Sequence, residues 1–412
     1  MKSNKTILVV TSFFYPDSFG GSNKVVYEIG KRLAASGHSV YILTKKIKRT
    51  LPDYEIIEGM HIYRCSIPPV SRGIIQDLFF VINVGRVYRR LKHKITFDII
   101  YAHDLFAAVG IIIASKKQRI PIVSHFYSPA HQELVVENKE KTSNYFYKLI
   151  LKVSSSVIKI LEEWYFLGKA DRIVVLSNFS REQLKMLYRR AAGIPNDSIS
   201  VIAGGVDFNK FCPSLDRVAT RRKLNLPENK FLFLTVRRLV CRMGLENFIM
   251  TIPEVIKVHR DAVLFIIGEG KLKPRLSKLI ASLGLDSHVK LIGSVEEDII
   301  PLYYQAADIF VIPTKELEGF GLVTLEALAC GTPVLGTPIG NTKEMLGKLD
   351  PGFLFDDVST EAMARLMIKM CNNRNNLESL RSVCAEYARM NYSWDKSARS
   401  LEEVFDSVTN EK

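Results

Sequence analysis

The chain has 412 residues, which is too long for one ordinary hydrophobic core and favours two domains. Its 47% hydrophobic and 24% charged residues are typical of a soluble globular protein, and no apolar run approaches the roughly 18 residues that a transmembrane helix needs. The six cysteines are scattered without a C-x-x-C pair, so we expect buried free thiols and neither disulfides nor a zinc site.

The net charge of +14 lies entirely in the first half of the chain. Residues 1–200 contain 30 Lys and Arg against 16 Asp and Glu, whereas the remaining residues contain 27 of each. This asymmetry indicates an anionic partner for the first half, either nucleic acid or an anionic membrane surface. A solvated basic surface without a partner is the third interpretation.

Apolar runs of strand length alternate with longer segments of helical period along the whole chain, as is typical of parallel α/β architecture. The segment Met1 to Val10 is not followed by a small-residue cleavage site. It is therefore predicted as the first strand and not as a signal peptide, and we expect a cytoplasmic protein. In the first half the predicted strands are 6–12, 39–44, 97–101, 120–125, 172–176 and 199–202, and the predicted helices are 23–35, 76–94, 106–116, 144–167 and 181–190.

The strand and helix pattern restarts after Gly204-Gly205-Val206-Asp207, which places a linker near residues 204–228. We therefore predict one domain over 1–205 and a second over 206–390, with a last helix in 391–412 that crosses back to the first domain. In the second half the predicted strands are 231–236, 263–267, 289–291, 309–312, 333–335 and 352–355, and the predicted helices include 246–258, 272–283, 322–329 and 393–408.

The densest chemical signal lies between Glu316 and Pro333. It predicts a strand, a glycine-containing turn and a helix that ends at Cys330, and the helix start is a ready anion site. Glu318 lies in the turn and Glu326 about two helical turns later, so two carboxylates lie beside the anion site. This suits a ligand with both phosphates and hydroxyls. The alternative is that Glu318 caps the helix and Glu326 is a surface residue.

The segment from Glu318 to Glu326 resembles the E-G-F-G-L plus Glu signature of glycosyltransferase family 4, the retaining enzymes of the GT-B fold. Other segments resemble the same family in the same order, and together they cover nearly all of the chain. These segments are Phe19-Gly20-Gly21, Gly37 to Val40, Ala170 to Ile173 with Leu176-Ser177, Ala203 to Asp207, Gly268-Glu269-Gly270, Ala307-Asp308-Ile309, Gly340 to Glu344, and Tyr392-Ser393-Trp394.

The resemblance implies two Rossmann-like domains that face each other across a cleft. It also implies transfer of a sugar, with retention of anomeric configuration, from a UDP- or GDP-linked donor to a hydroxyl of a sugar or lipid-linked acceptor. The setting it implies is the synthesis of cell-surface polysaccharide, lipopolysaccharide or glycolipid. It implies no cofactor and no metal, and no D-x-D string offers Mg²⁺ a carboxylate site.

Site residues follow from the resemblance position by position. Glu326 is expected to hold the ribose hydroxyls, Glu318 to face the donor sugar and His125 to lie near the transferred sugar. Glu318, Arg238 and His125 form the expected catalytic set. The expected donor-binding residues are Gly20, Gly21, Arg238, Arg242, Gly319, Phe320, Gly321, Leu322 and Glu326.

One segment departs from the family pattern. The family shows G-R-L followed by Lys-Gly, whereas here Arg237 replaces the glycine and Met243 replaces the lysine. Arg238 matches the family arginine, and we expect Arg242 to supply the second positive charge, since an arginine fork can grip a diphosphate.

Three other classes of protein fit the sequence less well. A dinucleotide-dependent oxidoreductase would need a G-x-G-x-x-G turn, which is absent. A sugar-nucleotide epimerase of related fold would lack the paired glutamates. A nucleic-acid-binding module would need exposed aromatic residues among basic ones, whereas Tyr145, Phe146, Tyr147 and Trp164 read as the apolar face of a helix. We therefore expect no nucleic-acid partner.

Two segments of the basic half, 73–94 and 146–167, combine apolar faces with Lys and Arg and suit helices that lie on an anionic membrane surface. Residues Arg86, Arg89 and Arg90 edge the first of them. The alternative is that both are ordinary helices packed on the sheet. The membrane interpretation would make the cytoplasmic protein peripheral on the inner membrane face.

Overall fold

The computed structural model describes residues 4–68, 74–115, 120–138, 145–188 and 198–410. The chain divides into two compact units. The first unit comprises residues 1–135, 142–204 and 394–412, and the second comprises 136–141 and 205–393.

An eight-stranded sheet forms the centre of the first unit. Its strand order is β3-β4-β2-β1-β5-β6-β7-β8, and every neighbouring pair is parallel except β3 and β4. The strands are β1 Thr6–Val10, β2 Ser39–Lys45, β3 Tyr54–Ile57, β4 Met60–Cys65, β5 Ile99–Ala102, β6 Ile122–Phe126, β7 Arg172–Val175 and β8 Ile199–Val201. The central strands are almost continuously apolar because helices cover both faces of a parallel sheet.

The helices of the first unit follow the alternation that the sequence predicts. They are Gly21–Ala35, Ile74–Lys92, Leu105–Ala114, Ala130–Glu137, Tyr145–Leu161, Asn178–Leu187 and the last helix of the chain, Trp394–Asn410. A π-helical segment, Glu162–Leu167, continues the fifth of them. The last helix belongs to this unit because Leu401 and Phe405 are buried, with Phe405 edge-on to Tyr101, and because Lys5 pairs with Asp406.

The second unit holds a smaller sheet of five parallel strands in the order β11-β10-β9-β12-β13. They are β9 Phe231–Val236, β10 Ala262–Ile267, β11 Val289–Gly293, β12 Ile309–Ile312 and β13 Val334–Gly336. Its helices are Arg217–Lys223, Leu245–Val258, Lys273–Ser282, Ile300–Ala306, Leu322–Ala329, Asn341–Leu349, Thr360–Asn372 and Leu377–Asn391.

The predicted α/β alternation is confirmed, with local differences. The helices Ala130–Glu137 and Arg217–Lys223 were not predicted, and the second of them lies within the predicted linker. The hairpin Tyr54–Ile57 and Met60–Cys65 was not predicted, and the predicted strand 352–355 is a 3₁₀ turn, Pro351–Phe353. The predicted helix 144–167 becomes π-helical at Glu162. Residues 116, 144 and 189–190 of the predicted helices, and residue 73 of the segment predicted to lie on a membrane, lie outside the described residues.

No helix within the described part of the chain is long and apolar enough to cross a membrane. All six cysteines are free thiols, and Cys65, Cys330, Cys371 and Cys384 are buried.

Candidate active site

The candidate site of the second unit lies where the carboxyl ends of its parallel strands meet. Loops that follow strand ends at this edge are the usual place for a ligand in an open α/β sheet. The loop after β9 carries Arg237, the loop after β12 carries Glu318, and the loop after β13 carries Gly340. Glu318 lies against each of the other two, as the next paragraphs describe.

Glu318 is a buried carboxylate with two side-chain donors on one oxygen. Its Oε2 accepts hydrogen bonds from Nη2 of Arg237 at 2.5 Å and from Oγ1 of Thr314 at 2.8 Å. Burial alone would raise the pKa of Glu318, but the charge of Arg237, the two hydrogen bonds and the nearby charge of Arg242 hold it below its usual value. Glu318 is therefore ionised.

The backbone of the Glu318 loop is fixed by the loop after β13. The Asn341 amide donates to the carbonyl of Glu318 at 3.2 Å, and its side-chain Nδ2 donates to the carbonyl of Phe320 at 2.9 Å. Gly340 has a φ of +61°, and a Cβ there would lie 2.0 Å from the Glu318 carbonyl oxygen. Only glycine permits this approach.

The helix Leu322–Ala329 begins directly beside the Glu318 carboxylate. Gly321 is its N-cap with a φ of +82°, and a Cβ on Gly321 would lie 3.6 Å from Glu318 Oε1. The positive end of the helix therefore lies beside the Glu318 carboxylate. The alternative that Glu318 caps this helix is wrong, because Gly321 occupies the N-cap position.

Glu326 lies on the same helix and is only 8% exposed, so the alternative that it is a surface residue is wrong. The hydroxyl of Tyr304 donates to Glu326 Oε2 at 3.0 Å. Burial, together with the charge of Glu326, raises the pKa of Tyr304 well above its usual value, so Tyr304 remains protonated and is a permanent donor.

The three arginines of the loop after β9 have different environments. The side chain of Arg238 is 57% exposed. Arg242 is half-buried, and its Nη1 donates to the carbonyl of Leu317 at 2.5 Å, next to Glu318. Arg237 is buried against Glu318. From the sequence, Arg237 was interpreted only as a replaced glycine, although an arginine that directly follows an apolar strand was a signal for a buried partner.

In the first unit, Gly20 and Gly21 are exposed at the start of the helix Gly21–Ala35. Gly20 is the N-cap in extended conformation, and its carbonyl accepts from the Lys24 amide at 3.0 Å. The turn therefore presents the positive end of a 15-residue helix to solvent.

His125 lies in a buried cluster of rings near the end of β6. Its Nδ1 is 2.5 Å from the Tyr101 hydroxyl, and its ring stacks on Tyr127 with centroids 4.3 Å apart. His103 Nδ1 lies 2.6 Å from the hydroxyl of the same Tyr127. Burial lowers the pKa of His125 to about 3, so its imidazole is neutral. The Nε2 atoms of both histidines are buried without a hydrogen-bond partner among the described residues.

Two family models match the chain in succession. The model described as Glycosyltransferase Family 4 matches residues 19–210, and the model described as Glycosyl transferases group 1 matches residues 216–390. A D-inositol 3-phosphate glycosyltransferase of Salinispora tropica is 26% identical over 414 residues, which cover 95% of this chain and 82% of the relative.

Solved structures share the fold at lower identity. Sucrose-phosphate synthase from Thermosynechococcus elongatus superposes with a TM-score of 0.83 at 20% identity, over 99% of this chain and all of the other. Anabaena Alr3699/HepE, solved in complex with UDP and glucose, gives 0.72 at 19% identity over 98% of this chain and all of the other. With two Rossmann-like units, and with the two family models between them matching most of its length, this chain has the GT-B fold and belongs to the family 4 glycosyltransferases.

Proposed function

We propose that this glycosyltransferase moves a hexosyl unit from a nucleoside-diphosphate sugar to an acceptor hydroxyl, with retention of anomeric configuration. The observation that carries the proposal is the pair of buried carboxylates on either side of one glycine-led helix start, Glu318 and Glu326. Burying a carboxylate is costly unless it is paired or hydrogen-bonded. Two of them beside a positive helix end suit a ligand that brings several hydroxyls and phosphates.

The two carboxylates have distinct roles in this proposal. Glu326, oriented by Tyr304, accepts hydrogen bonds from the ribose hydroxyls of the nucleotide. Glu318, held ionised, faces hydroxyls of the donor sugar. The backbone from Gly319 to Leu322 lies against the sugar and phosphate. UDP is the nucleotide in the Anabaena complex, which supports a UDP-linked donor, and a GDP-linked donor is the alternative to be tested beside it.

Arginine and helix charges would stabilise the departing diphosphate. Arg238, Arg242 and the helix start near Phe320 supply fixed positive charge in the second unit, and the Gly20-Gly21 turn supplies it in the first. The acceptor oxygen forms a bond to the anomeric carbon on the face from which the diphosphate leaves. The bond from that carbon to the diphosphate oxygen breaks, and the departing phosphate takes the acceptor proton. No metal step is part of this scheme.

His125 completes the proposed catalytic set with Glu318 and Arg238. Its neutral imidazole, fixed through Nδ1 by Tyr101 and by stacking on Tyr127, has Nε2 left for a hydroxyl of the transferred sugar. A neutral ring can donate or accept such a hydrogen bond without adding charge.

We propose an anionic membrane surface as the place where the acceptor is met. The helix Tyr145–Leu161 buries Leu151 and Ile158 but exposes Tyr145 (83%) and Phe146 (68%), together with Lys148 and Lys152. The other apolar residues that this helix exposes are Leu149, Ile150, Val153, Val157 and Ile160. An apolar face with lysines beside it suits the boundary between headgroups and acyl chains of anionic lipids.

The helix Ile74–Lys92 has the same character. Phe80, Val84, Tyr88 and Leu91 pack into the core, so this helix is packed on the sheet as the alternative interpretation requires. Its opposite side nevertheless exposes Ile75, Leu78, Phe79 and Ile82, followed by the exposed Arg86, Arg89 and Arg90. A lipid-linked acceptor at the inner membrane face, used in cell-surface polysaccharide, lipopolysaccharide or glycolipid synthesis, fits this arrangement.

The test is a screen of UDP- and GDP-sugars with sugar and lipid-linked acceptors. Release of the free nucleoside diphosphate should require the acceptor, and the anomeric proton coupling of the product, measured by NMR, should match that of the donor. An inverted product would contradict the retaining mechanism. Conversion of the donor to its epimer without nucleotide release would favour the sugar-nucleotide epimerase instead.

A further inference from the structure

The guanidinium of Arg237 is buried beside the Glu318 carboxylate, and one of its nitrogens makes no hydrogen bond within the described residues. The residue is 8% exposed, and Nη2 is occupied by Glu318 Oε2 at 2.5 Å and by Met243 Sδ at 3.0 Å. Nη1 is buried and has no hydrogen-bond partner among the described residues. A buried charged donor left unpaired is costly, so an acceptor from outside the described residues is expected there.

The charges around Nη1 favour an anionic acceptor. Arg237, Arg238 and Arg242 lie in one short loop, and the described carboxylate that Arg237 and Arg242 both act on is Glu318. The ion pair with Glu318 engages Nη2 of Arg237, so Nη1 takes no part in it. A hydroxyl would satisfy Nη1, but an oxyanion accepts the stronger, charge-assisted hydrogen bond from a guanidinium.

The position of Arg237 also accounts for the departure at residue 243. In the family pattern a glycine stands at 237 and a lysine at 243, whereas here the arginine at 237 lies on the methionine at 243. A lysine at 243 would carry its ammonium into the region that the Arg237 guanidinium now occupies. Together, the two replacements therefore move one positive charge from position 243 to position 237. Arg242 is less suited to replace the missing lysine, because its Nη1 donates to the Leu317 carbonyl.

We infer that Arg237 is a donor-binding residue whose Nη1 holds an oxygen of the terminal phosphoryl group of a nucleoside diphosphate, in place of the lysine that is missing at 243. The inference rests on the proposed function. It assigns to Arg237 two contacts at once, one to Glu318 and one to the diphosphate. The residue would thus couple the position of the sugar-facing carboxylate to that of the leaving group.

Calorimetric titration of the full chain with UDP, UMP, GDP and GMP tests the inference. A contact to the terminal phosphoryl group strengthens diphosphate binding but not monophosphate binding. Arg237→Ala should therefore lower the ratio of diphosphate to monophosphate affinity by about tenfold or more, because a charged hydrogen bond is lost. Arg222→Ala, which removes an exposed arginine paired with Glu228, is the matched control and should leave the ratio unchanged.

Three further variants keep the test decisive if Arg237→Ala does not fold. Arg237→Lys retains the charge and should lose part of the ratio. The double variant Arg237→Gly with Met243→Lys should recover most of the ratio that Arg237→Gly alone loses. An unchanged ratio in every folded Arg237 variant would overturn the inference while leaving the glycosyltransferase assignment in place. Wild-type protein that binds neither UDP nor GDP would instead contradict the proposed donor class.

Discussion

The Tyr304 hydroxyl donates to Glu326 at 3.0 Å, and both groups are buried in the second unit. Tyr304 lies on the helix Ile300–Ala306 that precedes β12, and Glu326 lies on the helix that follows it. The helix that precedes β12 in the chain thus fixes the orientation of a carboxylate on the helix that follows it. Because Tyr304 remains protonated, it is a permanent donor that holds Oε2 in place.

Glu326→Ala should weaken nucleotide binding by about 1.5–3 kcal/mol, or roughly tenfold or more, since charged hydrogen bonds to the ribose are lost. Tyr304→Phe should weaken binding less, because it loosens the carboxylate without removing it. Titration calorimetry with UDP and GDP measures both effects. Glu254→Ala, at an exposed glutamate, is the control. Normal nucleotide affinity in a folded Glu326→Ala protein would rule out the ribose assignment.

Arg238→Ala should reduce kcat/KM more than Arg238→Lys, because lysine keeps the charge but loses the planar fork that suits a phosphate. Arg242→Ala should give a milder loss, since its Nη1 supports the Leu317 carbonyl beside Glu318. Steady-state rates with the best donor measure both. Equal rates for Arg238→Ala and wild type would show that the diphosphate is bound by other groups.

Glycosyl transfer should persist in the presence of EDTA, because arginines and helix ends are proposed to neutralise the diphosphate. The measurement compares initial rates with and without chelator after dialysis, and then after adding Mg²⁺ or Mn²⁺. Loss of activity on chelation and its recovery on metal addition would contradict the metal-independent scheme.

The two glutamates show how much of the candidate site the sequence predicts. The E-G-F-G-L segment predicts that Glu318 and Glu326 lie near one helix start, and the structure places both there. The ion pair between Arg237 and Glu318 was beyond prediction, because residues 81 apart meet only through the order of strands in the sheet. A sequence pattern predicts at which edge of the sheet a loop lies, but not which side chain of another loop it contacts.

The missed hairpin has a different cause. Glu58 and Gly59 form a two-residue turn in which both have positive φ, 50° and 78°. This is the geometry of the tight turns that join antiparallel strands, for which Gly at the second position is a known signal. The flanking segments are short and half polar, so their alternation was weak. The segment 352–355 was instead predicted as a strand that does not form. Its apolar run has the composition of a strand, but it makes a 3₁₀ turn and a single bridge to Gly336.

Stability of the first unit should fall as the pH drops below about 6.5. Burial lowers the pKa of His125 to about 3 and that of His103 well below its usual value. Below about pH 6.5, therefore, both histidines bind a proton in the unfolded chain but remain neutral in the folded chain. Their contribution is therefore complete above pH 6.5 and is lost as the pH falls toward 3. Each histidine adds a slope of about 1.4 kcal/mol per pH unit in that window.

Tryptophan fluorescence can follow this effect selectively, because both tryptophans, Trp164 and Trp394, belong to the first unit. The urea midpoint measured between pH 4.5 and 7.5 should decline on acidification. His125→Gln should make the decline shallower, whereas His93→Gln, at an exposed histidine, should not. An identical decline in His125→Gln and wild type would assign it to other groups.

The membrane proposal predicts binding to vesicles that contain anionic lipid and none to neutral vesicles, measured by sedimentation at low salt. Changing Arg86, Arg89 and Arg90 together to Glu should weaken binding by about a hundredfold or more, since each basic residue near an anionic surface contributes about 1 kcal/mol. Changing the exposed Arg260, Lys271 and Lys278 of the second unit to Glu alters net charge equally and should have little effect.

The apolar contribution is tested on the helix Tyr145–Leu161. Phe146→Ser with Ile160→Ser should reduce binding without unfolding the protein, because both side chains are exposed. Met186→Ser, at an equally exposed apolar residue of another helix of the same unit, is the matched control. If anionic and neutral vesicles behave alike, or if both charge-reversal triples weaken binding equally, the two helices are not the docking surface. A water-soluble acceptor would then be the better hypothesis.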